Sequence, residues 1–322
     1  MTATTIDRPP AALSRVDIRT AAPFVALVGV CVYFAVRSPV FLTVTNLRGL
    51  LIASAPLAIT AAAMTMVILV GEIDLSVGPV VSLCAIVFAL LLSAGVPLAA
   101  AVPGALLAGA TVGVVNGVIT VYGQIPSFIT TLGMFSIADG VSYLISGRST
   151  ISITDPTFFA VFYDARPFGI PVPGIFALGT LLLVGVVLRF TPFGRAIYAV
   201  GGNAPAAVMS GVSATRTKLK VFIFSGALVG LAGLMLAARL ASGKPDAAPA
   251  LTLDAIAAVI IGGTSLMGGR GSVARTVLGI TLISVLTNGF GLLNVDANVQ
   301  FTIKGVIVVV AVLIDRLGGD RS

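Results

Sequence analysis

The stretch LVGEIDLSVGP, Leu69 to Pro79, sets two carboxylates, Glu72 and Asp74, and the Ser76 hydroxyl among residues that are otherwise apolar. An ionised side chain at the centre of a bilayer costs roughly 2.5 to 17 kcal/mol, so it needs a partner, a water-filled cavity or a task. Two chemistries suit this spacing. Asp74 and Ser76 can cap the amino end of the apolar segment that follows, with Pro79 in its first turn and Glu72 at an aqueous mouth. Alternatively the carboxylates touch a solute or ion crossing the membrane. Both can hold together, and Asn116, Gln124 and Asn288 are the further polar groups inside apolar segments that such a wet path would use.

Other chemistries are excluded by what the chain lacks. Histidine is absent, which removes the commonest general base and the commonest metal ligand. Cys31 and Cys84 lie inside apolar runs with no Cys-x-x-Cys or Cys/His cluster, so they read as small core hydrophobes. No catalytic residue, metal site or cofactor site is expected. The formal charge of +7 invites nucleic acid, but the basic residues fall mainly between hydrophobic spans, where they orient helices and meet anionic lipid headgroups. Nucleic-acid binding is therefore not expected.

The elements that must position these groups are membrane helices. The 322 residues are 57% hydrophobic and only 10% charged, with a mean hydropathy of +1.12, far outside the range of a soluble domain. Cut at lengths of about 20 residues, the chain divides into about ten apolar segments. These run from Pro23 to Val36, Leu47 to Val70, Val77 to Ala94, Leu98 to Tyr122, Pro126 to Ile145, Ile175 to Phe190, Lys220 to Leu240, Leu253 to Leu266, Ala274 to Leu292 and Phe301 to Ile314. The expected fold is an all-α integral membrane protein with some broken helices. Residues 1–20 and 317–322 are expected to be cytoplasmic tails around a transmembrane domain at 21–316. The amino-terminal tail holds Arg8, Arg15 and Arg19 and has no signal-peptide pattern. The excess of Lys and Arg in alternate connections, strongest at Arg216, Lys218 and Lys220, puts both termini inside.

Glycine marks three further places. Ala105, Gly109, Gly113 and Gly117 line one helix face, and Gly226 with Gly230 repeats the spacing, which lets backbones approach closely in lipid. The stretch VGGNAPAAVMSGV, Val200 to Val212, reads as a two-turn helix from Ala204 to Ser210, with Asn203 as cap, Pro205 in the first turn and Gly211 as the left-handed terminator. So short a helix needs something to dock against, either the membrane surface or a cytoplasmic protein. The cluster IIGGTSLMGGRGSV, Ile260 to Val273, reads as a broken helix or a tight turn between spans. With no preceding strand and no Gly-x-x-x-x-Gly-Lys-Ser/Thr anywhere in the chain, it is not a nucleotide loop.

Taken together, GEIDLSVG at 71–78, GGNAPAAVMSGV at 201–212 and DAIAAVIIGGTSLMGGRGSV at 254–273 resemble the permease subunit of bacterial ribose-type ABC sugar importers. The likeness extends to IPSFITTLGM at 125–134, the outer loop ending GIPVP, and IKGV at 303–306. Around Pro205 and Ala206 that family more often carries a charge, whereas this chain is neutral there, which bears on the ATPase partner. The resemblance implies a homodimeric permease in a bacterial plasma membrane. It also implies cytoplasmic ABC ATPase subunits, an extracytoplasmic sugar-binding protein and a solute path between the two copies. Gly201, Gly202, Asn203, Ala204, Pro205, Ala206, Ala207, Ser210 and Gly211 would then couple ATPase movement to the spans, while Glu72, Asp74, Ser76, Asn116, Gln124 and Asn288 would supply path or gate groups. Branched-chain amino acids or nucleosides are alternative solutes. The alternative mechanism is an ion-coupled carrier using Glu72 and Asp74. An intramembrane enzyme fits poorly, since no nucleophile stands beside a base.

Overall fold

The computed structural model describes residues 18–319 and is almost entirely helical. In chain order the helices are α1 (Ile18–Arg37), α2 (Val44–Leu69), α3 (Val77–Ser93), α4 (Leu98–Tyr122), α5 (Ser127–Ile145), α6 (Pro156–Phe159), α7 (Val172–Phe190), α8 (Pro192–Gly202), α9 (Ala204–Met209), α10 (Ala214–Leu240), α11 (Leu251–Ile261), α12 (Val273–Leu292) and α13 (Ala297–Gly319). Every apolar segment read from the sequence overlaps one of these helices. Six of them, α2, α4, α5, α7, α10 and α12, are individually long and apolar enough to cross a membrane. The expected tails fall largely outside the described residues.

At the centre stand α2, buried from Ala55 to Leu69, and α10, buried over most of its length from Val221 to Ala238. A helix that is hydrophobic on every face belongs in the interior of a bundle. Around them pack α3, α4, α7, α11 and α12, with α5 against α3 and α4, α1 against α12, and α13 against α11. The two small-residue stripes face each other along the α4–α10 seam. A Cβ at Gly109 would land on the Gly226 carbonyl oxygen, one at Gly113 on the Phe222 carbonyl oxygen, and one at Gly230 on the Ala105 carbonyl oxygen. Gly109→Leu is therefore expected to destabilise the bundle by about 3 kcal/mol or more, because backbone cannot yield as a side chain does. Gly179→Leu on α7, where nothing lies within 4 Å, should be tolerated. Thermal stability and the monodisperse fraction in detergent decide between them.

Two breaks interrupt the bundle. The first is the unwound stretch between α2 and α3. The second follows α10, where Ala241 turns left-handed (φ 51°) and β2 (Ser242–Gly243) pairs antiparallel with β1 (Ile151–Ser152) in the connection between α5 and α7. From Gly243, packed on Ala85 and Ile86, the chain returns along α3 to Thr252, which lies against Gly78. Thr252 already stands in the first turn of α11. Its 11 residues rise about 16 Å, too short to cross alone. The expected segment from Leu253 to Leu266 is corrected here: the helix ends at Ile261 and Gly262 to Ser272 forms a turn. Gly263, Gly268 and Gly269 take φ between 69° and 84° in that turn, a backbone that a continuing apolar helix cannot have.

The connection between α5 and α7 is folded, not loose. Asp155 Oδ1 accepts from Thr157 N and Phe158 N, capping α6. Beneath it Phe158 packs on Phe88, and Phe162 stacks on Phe176, so the loop is fastened to α3 and α7.

Candidate functional site

The three glycine-rich stretches, far apart in sequence, meet at one end of the bundle. Gly269 N–H donates to the Leu69 carbonyl oxygen at 2.9 Å, tying the α11–α12 turn to the last turn of α2. Gly201, near the end of α8, sits so close to both that a Cβ there would strike the Leu69 oxygen. Gly268 touches Gly71, which itself takes φ 85°. The Tyr198 hydroxyl of α8 donates to the Gly271 carbonyl oxygen at 3.0 Å. Glu72 forms an ion pair with Lys218 in the first turns of α10. Lys218 is a residue that the sequence offered only as part of the basic run orienting the chain.

From this junction the chain runs unwound into the bundle, and neighbouring helices supply the hydrogen bonds that helix would have made. Ile73 N donates to Ser127 Oγ at 3.1 Å and Leu75 N to Thr131 Oγ1 at 3.0 Å, both on α5. Thr252 Oγ1 of α11 accepts from Gly78 N at 2.9 Å and donates to the Leu75 carbonyl at 3.3 Å. Irregular backbone at membrane depth survives only with such partners. Ser127, Thr131 and Thr252 were not singled out by sequence. Hydroxyls spaced i and i+4 at the start of α5 were the available signal.

Asp74 and Ser76 do not cap α3 in the expected way. Asp74 Oδ1 accepts from Ser76 N at 2.9 Å and from Ser76 Oγ at 2.6 Å, closing a tight turn ahead of the helix, while Ser76 stands at the cap position with no capping bond from its side chain. The reason is competition: Ser76 Oγ is already engaged by Asp74 and accepts from Asn116 Nδ2 of α4 at 3.0 Å. This buried relay, Asp74–Ser76–Asn116, borders a cavity of about 10 Å³ lined also by Val77, Val80, Gly113 and Val229, room for about one water. Asn116, which also lines the cavity, has no partner for its Oδ1 among the described residues.

Two of the expected path residues stand apart. Asn288 exchanges hydrogen bonds with Asn46, at 2.9 and 3.0 Å, where α12 meets the start of α2. That is about 35 Å from Leu69 along α2. Gln124 lies in the exposed turn between α4 and α5 with φ 55°. Within the short helix, Asn203 Oδ1 accepts from Ala206 N at 3.0 Å, Pro205 occupies the first turn, and Gly211 is left-handed at φ 83°. Only Ala207 is buried, while Val208 and Met209 are exposed, Met209 at 90%. Among the described residues no group of three or more His, Cys, Asp or Glu side chains converges to hold a metal.

A bundle of apolar helices with buried, side-chain-braced breaks, joined at one end to a short exposed helix, defines a multi-pass membrane protein. The comparisons with known proteins agree. Residues 46–313 match the family described as branched-chain amino acid transport system / permease component, and the chain belongs to that family. It is 38% identical over 296 residues to the ribose import permease protein RbsC of Escherichia coli (strain K12), covering 91% of this chain and 92% of that protein. The ribose import permease protein RbsC of Bacillus subtilis (strain 168) is likewise 38% identical, over 295 residues, covering 91% of this chain and 92% of that one. The L-arabinose transport system permease protein AraH of Escherichia coli (strain K12) is 35% identical over 282 residues, with 88% and 86% covered. No solved structure matches the chain. The protein is thus a multi-pass inner-membrane transport component.

Proposed function

We propose that this chain is the membrane subunit of an ATP-driven, binding-protein-dependent importer that carries ribose or a similar simple sugar, and that two copies of it enclose the path. The observation that carries this reading is the junction of Leu69, Gly201 and Gly269. It links an exposed short helix to an unwound segment inside the bundle through backbone contacts that leave no slack. On this reading α9 is the coupling helix. Its exposed Val208 and Met209 enter a groove on a cytoplasmic ABC ATPase, an apolar anchor of the kind that helix-in-groove docking uses. Arg216, Lys218 and Lys220 flank it, and by the positive-inside rule they support a reading with this end and both termini in the cytoplasm. The folded loop between α5 and α7 then faces outward as the surface for a sugar-binding protein. The relatives named for ribose and arabinose support a sugar as solute. The family's own description makes a branched-chain amino acid the second reading.

The chain alone should show no ATPase activity, because it contains no phosphate-cradling loop. In proteoliposomes with its ATPase and loaded binding protein, ATP hydrolysis should rise with added sugar and labelled ribose should accumulate. ATP turnover by the pure chain would sink the proposal, as would uptake by the chain alone that collapses with an uncoupler and ignores ATP. Competition by leucine but not by ribose would transfer the solute to the second reading.

A further inference from the structure

The basic run that opens α10 divides by facing. Arg216 and Lys220, one helical turn apart, are exposed, whereas Lys218 between them is half-buried and pairs with Glu72. Glu72 is the single glutamate of the chain and only 9% exposed. The positive-inside rule explains a basic run at this end of the bundle. It does not explain a lysine turned inward to meet a buried carboxylate, since either charge alone would lose its water without return. The pair also stands at a particular turn. Gly71 N donates to the Ile68 carbonyl oxygen and Glu72 N to the Val67 carbonyl oxygen, both at 3.0 Å, with Gly71 left-handed, which ends α2 and aims the unwound stretch into the bundle. Helix α9 reaches this turn from both of its own ends. Its amino end leads back through α8 to Gly201, against the Leu69 carbonyl oxygen. Its carboxyl end leads through Gly211 and the Ser213 cap, whose Oγ accepts from Arg216 N at 3.3 Å, to Lys218. The two attachments, Leu69 and Glu72, lie on either side of Gly71.

Resting on the coupling role proposed above for α9, we infer that Lys218 and Glu72 are positioning residues for transport, their ion pair being the second of two links through which α9 steers the turn at Gly71. With the Leu69 link alone, a shift of α9 would press on the end of α2 and leave the departing chain free to settle where it was. With both links, a change of angle between α8 and α10 is taken up at Gly71, where glycine has the backbone freedom to absorb it, and passes on to Ile73, Asp74 and Leu75. A lysine ammonium suits the second link. It is a point charge on a flexible stem with three rotatable donors, so it resists separation from the carboxylate while the angle between them changes. The other ion pair among the described residues, Asp254 with Lys304, joins α11 to α13 instead.

The deciding quantity is sugar delivered per ATP hydrolysed in proteoliposomes of the whole complex, because misfolding removes working complexes and leaves this ratio unchanged. Glu72→Met with Lys218→Met keeps the volume and removes the link, and should lower the ratio at least about tenfold. The exchanged pair, Glu72→Lys with Lys218→Glu, restores opposite charges across the same gap and should return the ratio to within about threefold of the unaltered protein. Glu72→Asp keeps both charges but shortens the reach, and should lower the ratio about threefold. It decides the matter where the double methionine variant fails to assemble. An unchanged ratio in that double variant or, failing its assembly, in Glu72→Asp overturns the inference, as does an exchanged pair that assembles without recovering the ratio. Should the unaltered complex show no ATP-driven uptake, it is the importer reading that fails, and the inference with it. Normal uptake there with an unchanged ratio in the variants overturns the inference alone.

Discussion

Gly201→Ala should cut sugar uptake and sugar-stimulated ATPase activity ten- to a hundredfold, while Gly202→Ala one residue later leaves both within about twofold. The contrast is steric and not conformational. Neither glycine takes a positive φ, so alanine suits the backbone at both. At Gly202 nothing lies within 4 Å of the added methyl group. At Gly201 that methyl would strike the Leu69 carbonyl oxygen and come within 2.7 Å of the Gly269 nitrogen, the two atoms joined by the hydrogen bond that closes the junction. All three neighbours are backbone, so no rotamer change relieves the contact. The α8–α9 elbow must back away from the end of α2, and overpacking of this kind costs roughly 1–3 kcal/mol. If the junction transmits ATPase movement, even a small retreat inserts slack at the point where none is tolerated. Uptake and ATPase activity are measured together in proteoliposomes of the whole complex. Unaltered coupling in Gly201→Ala would mean that movement reaches the spans by another route.

Much of the bundle was legible because lipid imposes a simple grammar. Runs of apolar residues bounded by Gly, Pro or polar clusters became helices at the places read from the sequence, and the stripe from Ala105 to Gly117 announced a close backbone approach. Which helix would approach was not legible, because the match with Gly226 and Gly230 is made between residues more than a hundred positions apart. The end of α11 departs from the expected boundary for a local reason: hydropathy runs on through Leu266, whereas the positive φ at Gly263 stops the helix. The candidate site divides in the same way. Asp74, Ser76 and Asn116 come together in one relay, while Asn288 finds Asn46 at the far end of α2 and Gln124 stays in an exposed turn. Polar residues within apolar segments look alike in sequence whatever their depth, since depth and facing arise only from packing.

For Asp74, the geometry sets apart a carboxylate needed as an acceptor from one needed for its charge. Its Oδ1 holds both the Ser76 amide and the Ser76 hydroxyl, and through that hydroxyl it steadies Asn116 beside the small cavity. An amide oxygen can accept the same two bonds. Asp74→Asn should therefore keep most of the uptake and melt no lower than the unaltered protein, because it also removes the cost of burying an ionised group. Asp74→Ala has no acceptor to offer. It leaves the Ser76 amide buried without a partner, a loss of roughly 1–3 kcal/mol, and frees the start of α3 from the unwound stretch before it. Uptake should then fall at least about tenfold, with thermal stability falling in parallel. The readouts are sugar uptake in proteoliposomes of the whole complex and the melting temperature of the purified permease. A different pattern would assign Asp74 to the path: uptake abolished in Asp74→Asn while melting temperature, abundance and ATPase assembly remain normal. That result would leave the turn intact and make the charge itself the lost component, because nothing else in the relay distinguishes the amide from the acid.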